Sequence, residues 1–296
     1  MPDESPCNNA PLNKGKMGID ILFAVFALLF GLCIGSFLNV VAWRVPLGRS
    51  IVRPGSSCPS CGYLIRWFDN IPIFSFVFLG GKCRQCKAHI SFRYPVTETV
   101  TGLLFLAAAM NQGMSWLFLR DAVFLASLVV IVRTDIDHWI VLDEISIGGT
   151  FAGLLFSLLP GGIGIIQSIA TAAGGFLLFL LIRWVSLLVL RNRPGYTIAP
   201  KGYEDEAEEF SGGMGWGDIK LAACIGAFLG PVPAAVAFFL SFLAGALTGG
   251  ALILFRRRSK RVPIPFGPFM ALGAAISLFA GTSIWYWYMG LWGIIR

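Results

Sequence analysis

Charge is scarce in this chain. Only 13% of its residues are Asp, Glu, Lys or Arg, against 56% that are hydrophobic. With a mean hydropathy of +0.75, that scarcity excludes an ordinary soluble domain, in which about a quarter of residues are charged. Also lacking is any basic segment interleaved with stacking aromatics in a polar module. The net charge of +7 therefore does not point to nucleic acid. It fits attraction to anionic lipid, at about 1 kcal/mol per basic residue near the surface. A third absence is a small-residue cleavage pattern behind the first apolar run, which reads as an uncleaved span.

What is present is a succession of apolar segments. A hydrocarbon core of about 30 Å needs roughly 20 helical residues, and eight candidates succeed one another: Ile19 to Ala42, Tyr94 to Met110, Trp116 to Val132, Ile145 to Leu159, Ile163 to Leu190, Ile219 to Leu229, Val232 to Phe255 and Phe266 to Trp292. Several are short, and the pair split by Gly230-Pro231 could be misread as one re-entrant segment. The fold class is all-α, a polytopic membrane protein of about eight transmembrane helices. Residues 1–18, polar with Pro, Asn and Gly, read as a disordered tail.

Lys and Arg set the orientation, because cytoplasmic loops retain them. The loop after the first span carries Arg44, Arg49, Arg53, Arg66, Lys82, Arg84, Lys87 and Arg93, so it is expected to be cytoplasmic. Alternation then puts the turns at 111–115, 160–162 and 230–233, which have no Lys or Arg, outside. The basic or mixed loops at 191–218 and 256–261 fall inside, and both chain ends outside.

Four of the seven cysteines stand in that first loop as Cys58-Pro-Ser-Cys61 and Cys83-Arg-Gln-Cys86, separated by 21 residues. Each pair can present two thiolates on one side of a turn, and two turns complete a tetrahedron around zinc. The separation slightly exceeds the usual ribbon range. Disulfides conflict with a reducing compartment, and a redox pair calls for a single Cys-x-x-Cys in a thioredoxin-like setting. The expected site is structural zinc that organises residues 44–93. Between the pairs, the apolar stretch Ile71 to Gly80 is too short to span and is expected against the membrane face or other helices. Cys33 and Cys224 read as small packing residues.

Ionisable groups inside a membrane span cost about 2.5–3.5 kcal/mol at its centre and mark function. Two places qualify. One is Arg133-Thr134-Asp135-Ile136-Asp137-His138-Trp139 at the end of the third span, and the other is Asp218 at the start of the sixth. Both fall at the cytoplasmic edge. Two carboxylates that meet there would share a proton, one acting as general base on water while the other polarises a carbonyl. The plainer alternatives are a helix cap for Asp218 and an ion pair with Arg133 for Asp135 or Asp137. Gly213, Gly215 and Gly217 favour the functional reading, since glycines permit positive φ and close backbone approach and a plain cap does not need three. Lys220 either tunes the pair or snorkels to the interface.

Together these residues resemble the type 4 prepilin peptidase family over about residues 28–280. The motifs are GLCIGSFLNVVAWRVP at 31–46, the two cysteine pairs, RYPVTETVTGLLF at 93–105, TDIDHWIVLDEIS at 134–146 and GGMGWGDIKLAACIGAFLG at 212–230. The resemblance implies a G-x-G-D membrane aspartic protease, with the motif at Gly215, Gly217 and Asp218 and the other catalytic aspartate at Asp135. Asp137 lies next to it, and a further Asp, Asp143, at the eighth position. Leu142 replaces a proline common in relatives. The implied activity is cytoplasmic removal of a basic leader from type IV prepilins or type II pseudopilins in the bacterial inner membrane. Methylation of the new N-terminus with S-adenosylmethionine comes next.

The resemblance divides the chain into a methyltransferase-type region at 19–110, with Asn39, Arg44 and Glu98 as its candidate residues, and a protease domain at 111–296. For Glu98 a helix-start carboxylate is the simpler alternative. The acidic run Glu204 to Glu209 either attracts the basic leader or is a solvated linker. Two rivals stay open, loss of one of the two activities and an ion-coupled transporter. The latter expects carboxylates nearer the midplane.

Overall fold

A computed structural model describes residues 14–190, 214–255 and 265–292. Eight long helices match the eight apolar segments: α1 (Lys14–Arg44), α3 (Arg93–Gln112), α4 (Trp116–His138), α5 (Asp143–Ser157), α6 (Ile165–Leu190), α7 (Trp216–Leu229), α8 (Pro231–Leu254) and α9 (Gly267–Leu291). The short α2 (Phe74–Phe78) lies in the loop between α1 and α3. Among the described residues there are no strands, only two isolated β-bridges in that loop. α1 opens at Lys14, inside the segment read as a tail; residues 1–13 lie outside the described residues, as do the acidic run and Gly213.

Among the described residues, four helices are long and apolar enough to cross a membrane, over Asp20–Leu47, Ile165–Val189, Pro231–Leu252 and Gly267–Leu291. The other long helices fall short for identifiable reasons. α5 and α7 have 15 and 14 residues, about 22 and 21 Å at 1.5 Å per residue, while α3 and α4 carry charged residues near their ends. The outer surface has large exposed apolar side chains such as Ile166, Leu177 and Phe239. An exterior of this kind suits lipid and not water.

Helix ends obey local chemistry. Ser115 caps α4 by accepting the Phe118 amide at 3.4 Å. The same helix stops on Trp139 in a left-handed conformation, its amide donating to the Asp135 carbonyl at 3.1 Å. Gly230 at φ +75° turns the chain sharply from α7 into α8, whose first residue is Pro231. Gly230-Pro231 is therefore a corner between two separate helices.

α7 is the centre of the bundle. Ile219, Leu221, Ala222, Cys224 and Ile225 are fully buried, enclosed by α5, α6, α8 and α9. From α4, Phe124 stacks on Phe228 at 4.6 Å between ring centroids. The close approach needs small residues: a Cβ on Gly226 would stand 2.5 Å from the Thr171 carbonyl oxygen of α6. Burial on every side explains why α7 is apolar all round and not amphipathic. At the other end of the chain α1 packs along α3, and α3 on α4.

Candidate active site and cysteine centre

Asp135 occupies the last turn of α4 and is 6% exposed. Its Oδ2 accepts the amide of Gly267 at 2.9 Å, the first residue of α9, so the carboxylate sits on the positive end of that helix. A Cβ on Gly267 would come within 2.6 Å of the same oxygen. Asp218, third residue of α7 and 9% exposed, accepts the Gly215 amide at 3.3 Å on Oδ2. The capping alternative is thus realised in part, with Asp218 reaching back from inside the helix. Asp218 also lies within the electrostatic field of Asp135.

Of the glycines before Asp218, Gly217 serves close approach. Gly215 has φ −73° and Gly217 is helical, so neither uses the positive φ expected of them. A Cβ on Gly217 would meet Val141 at 2.6 Å, which makes glycine necessary where α7 passes the segment joining α4 to α5.

Asp137 faces elsewhere. Two helical residues subtend about 200°, which sends Asp137 to the opposite face from Asp135. There it pairs with Arg93 of α3 and, at 3.0 Å, with Arg133. Lys220 places Nζ 2.7 Å from both oxygens of Asp143, joining α7 to α5 instead of pairing with Asp218.

Arg183 was missed in the sequence. It is buried within α6, its Nη1 donates to the Met214 carbonyl, and its guanidinium lies 5.1 Å from the centre of the Trp216 ring. It therefore grips the two residues flanking Gly215. Its signal was present, a lone cation inside the apolar run FLLFLLIRWVSLLVL. Asp121 was missed too; it is fully buried near the start of α4 and accepts from Gln112 at 2.9 Å and Arg120 at 2.8 Å.

The four cysteines of the insert come together. Their sulfurs all lie within 4.8 Å of one another, and Cys58 and Cys86 are 3.8 Å apart. Tetrahedral zinc with sulfur at about 2.3 Å spaces its ligands about 3.8 Å apart, so the donor set fits such an ion. Each pair rides on a turn of one design. The Cys58 amide donates to Tyr63 and the Gly62 amide to Cys58; in the second turn Cys83 donates to Ala88 and Lys87 to Cys83. Bridges Ser57 to Leu64 and Lys82 to His89 close the two turns. Gly62 at φ +71° has its counterpart in Lys87 at φ +59°. Every feature recurs 25 positions later, an internal repeat that only the cysteines betray in the sequence. The amides of Ser60 and Cys61 hold the Cys58 thiol down at about 6, which favours the thiolate a metal requires. Asp69, kept below its usual carboxylate range by the hydrogen bond from Arg84, joins the connecting segment to the second turn at 2.6 and 2.8 Å.

Of Arg44, Glu98 and Asn39, only Arg44 lines the cavity of about 340 Å³ between α1 and the insert, with Ser36, Phe37 and Val40 on its side and Gly55, Asn70 and Pro72 on the other. Arg44 donates to the carbonyls of Ser50, Pro54 and Gly55, which folds one wall over the cavity. Glu98, buried on α3, accepts the Ile73 amide at 2.7 Å and holds the other wall. Asn39 donates to the Tyr94 carbonyl at 3.2 Å, while its Oδ1 is buried without a partner. None of these three lies in the group of Asp135 and Asp218.

The Bacterial Peptidase A24 N-terminal domain matches residues 29–112, and the Type IV leader peptidase family matches residues 122–250. A protein of Aeromonas hydrophila is 34% identical, with 92% of this chain and 96% of the relative covered. One of Bacillus subtilis (strain 168) is 36% identical over 88% of this chain and 96% of its own. One of Pseudomonas aeruginosa is 31% identical over 91% and 94%. All three are named prepilin leader peptidase/N-methyltransferase. No solved structure matches the chain.

Proposed function

Because the chain belongs to the type IV leader peptidase family, we propose that it removes the leader of type IV prepilins or type II pseudopilins and then methylates the exposed amine. The observation that carries the proteolytic part is the pair of buried carboxylates, Asp135 from α4 and Asp218 from α7, each held by one backbone amide, with Asp218 in the field of Asp135. One carboxylate takes a proton from water as its oxygen attacks the scissile carbonyl; the other, protonated, donates to the carbonyl oxygen. Collapse of the tetrahedral species returns a proton to the leaving amine, giving an acid and the shortened pilin with one water consumed. Gly215, where a Cβ would meet nothing closer than Asp218 Oδ2 at 3.8 Å, leaves room for an extended peptide at the carboxylates.

The eight long helices are read as eight passages, with the insert and both aspartates on the cytoplasmic side of the inner membrane, where the loops richest in Lys and Arg lie. A basic leader stays on that side while the pilin helix remains in lipid, so the bond to be cut arrives at the depth of Asp135 and Asp218. The four cysteines hold zinc in a closed structural site.

The N-terminal half carries methyl transfer. S-adenosylmethionine, when bound, supplies a methyl group on a positively charged sulfur. The cavity beside α1 fits a ligand of that kind in volume, and Ser36, Asn70 and Arg44 give it polar corners between Phe37 and Val40. Arg44 and Glu98 act by keeping its two walls in position.

The test is cleavage of a prepilin in membranes by Asp135→Ala and Asp218→Ala chains that insert and accumulate normally. Loss of cleavage in both is expected, and normal processing by either defeats the mechanism. Incubation with methyl-labelled S-adenosylmethionine, scored on the pilin amine, tests the second activity separately.

A further inference from the structure

The insert does not sit on top of the bundle; it descends beside α1. Pro72 and Asn70 line one cavity with Cys33, Ser36 and Phe37, and Ile73 is bonded to Glu98. Glu98 lies opposite Gly35, where a Cβ would come within 2.7 Å of the Glu98 Cα. Residues 70–73 therefore stand level with Gly35 and Ser36, about 12 Å down the helix from Arg44 at 1.5 Å per residue. The apolar span of α1 runs Asp20–Leu47. Whichever stretch of roughly 20 residues occupies the hydrocarbon, Ser36 is inside it.

The chain beyond Ile73 is suited to that depth. In α2 and its flanks, Phe78 is 85% exposed, Val77 69% and Phe74 57%. Backbone amides cannot be left unpaired in lipid, and most of those around α2 have partners. Ile73 donates to Glu98, Ser75 to Ile71, Val77 to Ile73, Leu79 to Ser75 and Gly80 to Val77. At the border of the patch, Arg66 and Arg84 stand over Phe68, 5.8 and 5.6 Å from its ring centre. Arg84 is already paired with Asp69, and a cation placed like Arg66 suits anionic headgroups.

We infer that α2 is an interfacial element that inserts Phe74, Val77 and Phe78 into the bilayer leaflet at the Arg44 end of α1, so that this face of the insert is a lipid-binding surface. Glu98 thereby has a physical reason for its burial, since it satisfies the amide at which the chain enters α2. The inference rests on α1 spanning the membrane and is independent of either enzymatic activity.

The full-length protein, with a benzophenone amino acid at Phe78 or, in a second variant, at Val77, is reconstituted without substrate in nanodiscs containing phosphatidylglycerol. It is irradiated and the adducts are identified by mass. Position Phe30, exposed on α1, is the lipid-facing control, and Phe124, fully buried, the protein-facing one. The expected result is a phospholipid adduct at both insert positions, with a yield within about threefold of that at Phe30 for a helix lying in the interface. An adduct to a second copy of the chain, or no adduct at positions 77 and 78 while Phe30 labels lipid, overturns the inference. Failure of the enzymatic proposal would leave this result untouched.

Discussion

The cysteine centre and the aspartate pair are assembled in contrasting ways. The cysteines sit on two turns whose hydrogen bonds close within ten residues, with the Asp69–Arg84 pair joining the second turn to the segment between them. The aspartates come from two helices far apart in the chain. α9 supplies an amide to Asp135, α5 an ion-pair partner to Lys220, and α6 the arginine that holds the loop before Asp218. A centre made of local turns needs only its ligands to form. One made by converging helices depends on every helix that steers it, and damage to it should spread further.

The largest effects expected from this contrast are at the carboxylates. Asp218→Asn should reduce prepilin cleavage by more than about 10³-fold in a membrane assay, the scale associated with loss of a group acting in the transition state. Asp137→Asn, on the other face of α4, should leave cleavage within about fivefold and instead lower thermal stability, as expected for a paired charge. Equal losses would mean that the two faces of α4 are not functionally distinct.

Next is the cysteine centre. Cys58→Ser should free bound zinc, expose residues 44–93 to protease and lower methylation by about 100-fold, in keeping with metal binding that drives local folding. Cleavage should stay within about threefold of the parent at this site. Collapse of both activities would show that the insert is not an independent unit.

Steering residues should give intermediate effects. Gly217→Ala forces a methyl against Val141 and should slow cleavage about tenfold, the equivalent of about 1.4 kcal/mol. The added change Val141→Ala should restore most of it. Arg183→Met removes the grip on Met214 and Trp216 and should also cost about tenfold in kcat, with Arg183→Lys recovering only part because a planar guanidinium does the stacking. The smallest change is expected for Lys220→Met. Its pair with Asp143 is partly solvated and worth about 0–1 kcal/mol, so cleavage should fall less than about fivefold.

Much of this was legible in the chain. Hydropathy marked the eight helical segments, and Cys-x2-Cys spacing marked a centre whose sulfurs do come together. The two carboxylate positions stood out because charge is rare near apolar runs. Legibility ended where contacts between distant residues took over. The family resemblance singles out Asp135 over Asp137, but the physical reason appears only when helix periodicity is combined with the positions of α3 and α9. The glycines of GMGWGDIK suggested backbone freedom, yet Gly217 is required because of Val141, a residue in another segment. Glu98 resembled a helix-start charge, and its partner turned out to be the amide of Ile73.

The sequence by itself determined that the chain is a helical membrane protein with a four-cysteine centre and acidic groups at helix ends. Those properties depend on composition, periodicity and short spacing, which are local in the chain. Only the tertiary structure decided which backbone amides hold Asp135 and Asp218, that Arg183 grips the loop before one of them, and that the insert descends beside α1. Each of these turns on distances between residues that no local pattern relates, and packing, not spacing, determines them.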